Sequence, residues 1–277
     1  MSTNAGFLER HHFLLRRLQS LTGIVPIGVF LIMHLTTNST IAWGGVNSRA
    51  HGDGWMSKSI ATFQHEVSFI NNMPLLLLIE ITLWAAIAFH IVFGMLYIMG
   101  SSNNMSSYKY GGNLRYVLQR WTGMFGMFFI LYHIATLRWG WTFLVPGGTQ
   151  WSHEFASSTL AAALRGSTGE ITGLGVLVSV FYFLGVTALV FHFANGLWTA
   201  AITWGLTVSR TAQKRWGVVC AGLGAGLMVM AWASVVGFAT LDYDKARAVE
   251  AQAGHDEPVI LIEEEVTQAD SDGHNDG

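Results

Sequence analysis

Four long apolar segments of this chain each carry one histidine in their interior: His34, His90, His133 and His192. Segments of that length either cross a membrane or fill a large core, and an imidazole in hydrocarbon is costly unless something meets its nitrogens. Neutral imidazole is a common metal ligand and a common axial ligand of haem iron. Two facing pairs of such histidines would hold two b-type haems. For a single histidine, a hydrogen-bonded packing role is the plain alternative. A proton relay would favour mixed chains of Asp, Glu and His, and here only Glu80 joins the histidines inside the apolar segments.

Composition agrees with a membrane protein. The chain is 51% apolar and 12% charged, against about 25% charged in soluble domains. The single cysteine, Cys220, supports neither a disulfide framework nor a cysteine-ligated iron–sulfur cluster. No Gly-x-Gly-x-x-Gly follows a strand and there is no Walker loop, so no flavin, nicotinamide or ATP site is expected on this chain. Nothing points to nucleic acid. Arg16 and Arg17 precede an apolar run with no small-residue cleavage site after it, so a retained first span is expected rather than a cleaved signal.

The sequence predicts an all-α, polytopic membrane protein with five spans: Leu18–Thr37, Pro74–Met99, Val117–Leu137, Leu174–Leu206 and Trp216–Leu241. Each reaches the roughly 20 residues that cross about 30 Å. Together they make one membrane domain over residues 1–241. The remainder, 242–277, is acidic and polar and reads as a solvated, disordered tail. The loop from Asn38 to Asn72 leaves room for a short amphipathic helix around Ile60–Ile70 on the membrane surface. Basic residues set the orientation. Arg10, Arg16, Arg17, Lys109, Arg115, Arg120, Arg210, Lys214 and Arg215 fall in one set of alternate loops, and fewer fall in the other. The N-terminus is therefore expected in the cytoplasm and the C-terminus outside.

Depth follows from the helical rise of about 1.5 Å per residue. His34 lies sixteen residues beyond Leu18, and His133 sixteen beyond Val117, both on outward-running helices. His90 and His192 lie on inward-running ones. The expected pairs are His34 with His133, toward the outer side, and His90 with His192, toward the inner side. Gly94 and Gly196 each follow an inner histidine by four residues, and Gly126 lies two turns before His133. They would either make room for a porphyrin or serve helix packing. His11, His12, His51, His65, His153, His255 and His274 receive no ligand role.

The segments RRLQSLTGIVPIGVFLIMHL, VLQRWTGMFGMFFILYHI and FHFANGLWTAAITWGLTVSRTAQ resemble the di-haem cytochrome b subunit of succinate dehydrogenases and fumarate reductases. The form resembled is the five-helix anchor with two haems, and the likeness runs from about Arg16 to Leu241. The resemblance implies a multi-pass protein of the bacterial inner membrane. It implies a flavoprotein subunit and an iron–sulfur subunit as partners on the cytoplasmic side, and an oligomer of the whole complex is left open. It implies two haem b groups, with His90 and His192 holding the inner one and His34 and His133 the outer one. It also implies a quinone, of the menaquinone type, near the outer haem with an acidic residue close by. Glu66 is the nearest match for that acid, with an interfacial surface carboxylate as its alternative. Glu80 reads either as a proton group for quinone or as a hydrogen-bond acceptor from a neighbouring helix. Gln19, Ser20, Gln119 and Arg120, at the inner ends of spans one and three, would meet haem propionates, or else headgroups or a partner subunit. Two other readings stay open on the residues alone. One is a haem anchor for another membrane oxidoreductase, such as a hydrogenase or formate dehydrogenase. The other is a haem-free transporter whose histidines carry protons.

Overall fold

The computed structural model describes residues 10–47, 49–50, 52–100 and 111–253, and all regular structure among them is helical. Lys109, His51, His255, His274 and the acidic stretch beyond Ala253 lie outside the described residues. Among the described residues, four stretches are long and apolar enough to cross a membrane. The first is a pair of helices in near continuity, α1 (His12–Ile24) and α2 (Pro26–Trp43). Pro26 has no N–H to offer the Thr22 carbonyl, so the helix breaks between them. The others are α4 (Leu76–Met99), α7 (Gly173–Thr203) and α8 (Arg210–Thr240).

The segment expected as the third span behaves differently. It forms α5 (Gly111–His133), which runs on into a π turn at Ile134–Arg138, but it is not among those four. Its first turns carry Asn113, Arg115, Gln119 and Arg120, and these polar residues dilute its apolar character. It packs against α7 along its length.

The bundle is held by close approach of small residues more than by buried bulk, as expected where lipid is as apolar as a side chain. A Cβ on Gly185 of α7 would stand 2.2 Å from the Phe129 ring, and one on Gly28 of α2 would stand 2.3 Å from Phe193. Long apolar side chains such as Leu77, Leu78, Val92, Val218 and Val229 face outward. Several hydroxyl groups are satisfied within their own helices. Thr36 bonds to the Ile32 carbonyl, Thr82 to Leu78, Thr187 to Phe183 and Ser234 to Met230.

The densest apolar core lies at one end of the bundle, the end that bears His34 and His133. There a cap of three helices, α3 (Trp55–Asn71), α6 (Ala156–Arg165) and α9 (Tyr243–Ala253), closes over the ends of α2, α5, α7 and α8. Ile41, Ile60, Phe63, Phe129, Leu160, Leu164, Tyr182, Phe238 and Leu241 meet in this core. Two expectations change here. The surface helix around Ile60–Ile70 begins at Trp55, and Ser57 and Ser59 to Gln64 are buried. Serine, alanine and threonine at these positions let neighbouring helices come close. The segment expected to be solvated from residue 242 onward begins with α9, which docks on α3 and α6.

Glu250 holds α9 in place. Its side chain is 1% exposed. One carboxylate oxygen accepts the backbone N–H groups of Ser157 (2.5 Å) and Ser158 (3.0 Å), and the other accepts the Ser158 hydroxyl (2.5 Å). These are orphan donors of the first turn of α6, so a side chain from another helix does the work of an N-cap. Burial pushes the Glu250 carboxyl up from its ordinary value, and the serine hydrogen bonds partly oppose that. The folded cap therefore favours the protonated form, and its stability declines as pH rises through the carboxyl's raised range. Glu250→Ala leaves two buried N–H groups unpaired and is expected to weaken docking of α9 by roughly 1–3 kcal/mol. Glu250→Gln keeps an acceptor oxygen and should cost less, and it should remove the pH dependence. Hydrogen exchange of the α9 amides across pH, in the detergent-solubilised full chain, measures both effects.

Candidate functional site: two facing histidine pairs

The four intramembrane histidines stand in twos. The rings of His34, on α2, and His133, the last residue of α5, have centroids 5.7 Å apart and planes at 83°. The rings of His90, on α4, and His192, on α7, are 6.1 Å apart at 84°. Each pair joins two different helices, and the pairs lie at two levels of one bundle.

The level of His90 and His192 is built from two similar half-sites. His90 Nδ1 lies 2.9 Å from the Gln19 carbonyl oxygen, and His192 Nδ1 lies 3.0 Å from that of Gln119. A carbonyl can only accept, so each Nδ1 must carry the proton and each Nε2 keeps a free lone pair. A helix one turn further on would ordinarily place a side chain over such a carbonyl. Here the residue four positions later is glycine in both cases. A Cβ on Gly23 would sit 2.5 Å from His90 Cε1, and one on Gly123 would sit 2.8 Å from His192 Cε1. These two glycines were not singled out from sequence. The signal that could have found them is their shared setting, LQSLTG at 18–23 and LQRWTG at 118–123.

The other level is held by aromatic packing. Phe30 stacks on His34 at 5.2 Å, Phe129 stacks on His133 at 5.9 Å, and Tyr182 meets His133 edge-on at 5.8 Å. Asn38 donates to the His34 carbonyl (2.8 Å), and its amide nitrogen is 3.5 Å from His34 Nδ1. His133 Nδ1 is buried with no hydrogen-bond partner among the described residues. The π turn begins at the next residue, and such bulges are frequent at functional sites. An apolar groove lined by Pro26, Phe30, Leu78, Ile79, Thr82 and Leu83 runs between α2 and α4 and reaches the ring that stacks on His34.

Glu80, beside the groove-lining Ile79, accepts from Arg138 at 2.8 Å. The Trp84–Trp139 stack at 5.5 Å lies one turn along the same contact. This clasp ties α4 to the end of α5. Glu66 is half-buried on α3, in the cap and not on a helix that carries one of the four paired histidines. Of the residues expected near propionates, Gln19 and Gln119 have their carbonyls engaged with the histidines. The Gln119 side chain also bridges the His192 carbonyl (3.0 Å) and Asn195 (2.8 Å). Arg120 donates to the Ile98 carbonyl (2.9 Å), and Ser20 accepts from Trp204 (3.4 Å).

The glycines expected to leave porphyrin room divide. A Cβ on Gly94 or Gly196 would meet only a glutamine amide, at 3.6 and 3.3 Å, so space remains beside both His90 and His192. Gly126 lies against Leu189, at 2.6 Å from the added Cβ, and serves packing of α5 on α7. The helix carrying His90 has one buried residue, Ala86, along its 24 residues, so its histidine face is loosely covered.

The donor set suits one particular kind of metal group. Among the described residues no three His, Cys, Asp or Glu side chains converge, so each pair supplies two neutral nitrogens and no more. That is what an iron already ringed by a macrocycle requires. An ion bonded to both Nε2 atoms at the roughly 2 Å typical of imidazole–metal bonds would hold the ring centroids roughly 6.3 Å apart. Both separations here fall slightly short of that figure.

No protein-family model matches the sequence. Over 205 residues the chain is 31% identical to the succinate dehydrogenase cytochrome b558 subunit of Bacillus subtilis (strain 168), covering 73% of this chain and 85% of that protein. The chain belongs to the succinate dehydrogenase cytochrome b family. It is a multi-pass membrane protein of that family, with four apolar membrane-length helical stretches and its histidines on α2, α4, α5 and α7.

Proposed function

We propose that this protein is the di-haem membrane anchor of a succinate:quinone oxidoreductase. It would pass electrons between a cytoplasmic iron–sulfur subunit, itself served by a flavoprotein subunit, and a membrane quinone of the menaquinone type. The observation that carries this reading is the arrangement of the histidines, two pairs at two levels with rings about one metal–imidazole sandwich apart. Haem b, when bound at each pair, supplies a one-electron carrier at each level.

The residues of the chain do the rest. His90 and His192 offer Nε2 at the inner level, and their Nδ1 protons are fixed by the Gln19 and Gln119 carbonyls. Donation from Nδ1–H raises the basicity of the ligating nitrogen. His34 and His133 offer Nε2 at the outer level, between Phe30, Phe129 and Tyr182. In this reading α5 is the fifth span. Its amphipathic start is accommodated because Arg115 packs on Trp198, and Arg120 packs on Tyr116 and reaches the Ile98 carbonyl. Arg16, Arg17, Arg115 and Arg120 gather at the end nearer His90. That end would be cytoplasmic, where the partner subunits dock, and the capped end would face outward. The groove beside Phe30 would admit the quinone laterally from lipid, and Glu80 would exchange protons with it while Arg138 steadies its charge. Glu66, on the cap helix, is the second choice for that role.

Three measurements test this. Four histidine ligands at two per iron would give two haems per chain, which a pyridine-haemochrome assay against protein mass reads. His90→Ala and His192→Ala should remove one spectral component, and His34→Ala and His133→Ala the other. A shared loss between His34→Ala and His90→Ala would sink the pairing. In an assembled complex, His133→Ala should abolish quinone-linked activity while succinate oxidation with a soluble artificial acceptor persists. Glu80→Gln should lower only the quinone-linked rate, and by more than Glu66→Gln. Normal quinone reduction by the His133→Ala complex would move the quinone to the inner level.

A further inference from the structure

The two half-sites at the inner level match in more than their hydrogen bonds. Gln119 lies 100 residues after Gln19, Gly123 lies 100 after Gly23, and His192 lies 102 after His90. The histidine helices match as well, with FHIVFG at 89–94 and FHFANG at 191–196. Each carbonyl lies within reach of a threonine hydroxyl three residues on. Thr22 donates to the Gln19 carbonyl at 3.0 Å, and Thr122 is 3.3 Å from that of Gln119, with a shorter bond to Leu118 at 2.7 Å. The Cβ clashes fall on the same atoms in the same order. From Gly23 they are 2.5, 2.9 and 3.5 Å to His90 Cε1, Nδ1 and Nε2, and from Gly123 they are 2.8, 3.2 and 3.7 Å to the same atoms of His192. Even the glutamine amides repeat, Gln19 Nε2 beside Gly94 and Gln119 Nε2 beside Gly196.

We propose that Leu-Gln-x-x-Thr-Gly is a positioning module present twice in this chain. Each copy sets the ring plane and tautomer of one inner histidine: residues 18–23 for His90, and residues 118–123 for His192. The module works by subtraction. A helix carbonyl already bonded to the amide four residues on still has a free lone pair. A glycine at that fourth position uncovers the lone pair and lets the imidazole lie against bare backbone. Each clash is with a stiff ring and not with the tip of a flexible chain, so a methyl group there must turn or displace the imidazole. The outer pair has no such module. His133 Nδ1 is unpartnered among the described residues, and His34 Nδ1 meets only the Asn38 amide nitrogen. Gly23 and Gly123, 100 residues apart, are therefore positioning residues for one and the same metal group.

The inference rests on the two-haem reading, and its test separates the two. Ferric low-spin EPR reports the relative orientation of axial imidazole planes, and redox titration reports each component separately. In the haem-loaded complex, Gly23→Ala and Gly123→Ala should each shift gmax and midpoint of the same, inner component and leave the outer one at its wild-type values. The double variant should lose the inner component, halving haem per chain. Gly126→Ala, on the same helix but facing Leu189, should leave both signals in place. If the glycine variants do not assemble, Thr22→Val and Thr122→Val remove the hydroxyls at near-constant volume. They should shift the inner component alone, and Thr→Ser should restore it. Two intact haems with both glycine variants silent, or with the two variants acting on different components, would overturn the module. A wild-type chain that never holds two haems would instead overturn the reading beneath it.

Discussion

An imidazole inside a lipid-embedded bundle needs an answer for both of its nitrogens, because no water is there to supply one. At His90 and His192 the answer is a helix carbonyl on a neighbouring helix, from Gln19 and Gln119. That one bond has three consequences. It fixes the proton on Nδ1 and so aims the Nε2 lone pair into the gap between helices. It requires a glycine one turn beyond the carbonyl, since any side chain there would meet the ring. It also locks α1 to α4 and α5 to α7, which sets how the histidine helices face one another. The paired rings at this level are thus a product of backbone geometry before they are a product of any ligand.

The two ends of the bundle are stabilised by different physics. Where helices meet lipid, apolar side chains gain nothing by turning inward, and contacts rest on small residues and self-satisfied hydroxyls. Where the chain leaves that zone beside His34 and His133, water returns as a competitor, and apolar burial again becomes a driving force. The cap of α3, α6 and α9 and its core of Ile60, Phe63, Leu160 and Phe238 form there. Glu250 is the buried acid of that cap, tolerated because three donors converge on it. The cap thereby covers the histidine pair whose own hydrogen bonding is least complete.

Under the proposed function this asymmetry is useful. The level held by backbone carbonyls lies toward the basic end, where partner subunits would dock on a rigid surface. The level held by aromatic stacking lies beside a groove open between α2 and α4, near a carboxylate and a guanidinium that can change partners. A ligand that enters and leaves needs a softer surround than a fixed carrier does.

The four histidines, their helices and their grouping by level were readable from the chain alone, because a helix rises by a constant amount per residue and a membrane has a fixed thickness. A long apolar run is also the strongest signal a sequence carries. The polar start of α5 blurs that signal, and Arg115 and Arg120 become tolerable only through Trp198, Tyr116 and the Ile98 carbonyl. Of the cap, only a helix around Ile60–Ile70 was readable, and it was expected on the membrane surface rather than buried. The cap's helices are short and rich in Ser, Thr and Ala, and Glu250 looks like any solvated acid until its three donors arrive from a segment some 92 residues away. Nor could sequence say that Gly126 meets a leucine while Gly123 meets an imidazole, three residues apart on one helix. Periodicity fixes which residues share a face, but which neighbour that face meets is set by how the helices cross, and that is decided only when the whole bundle has packed.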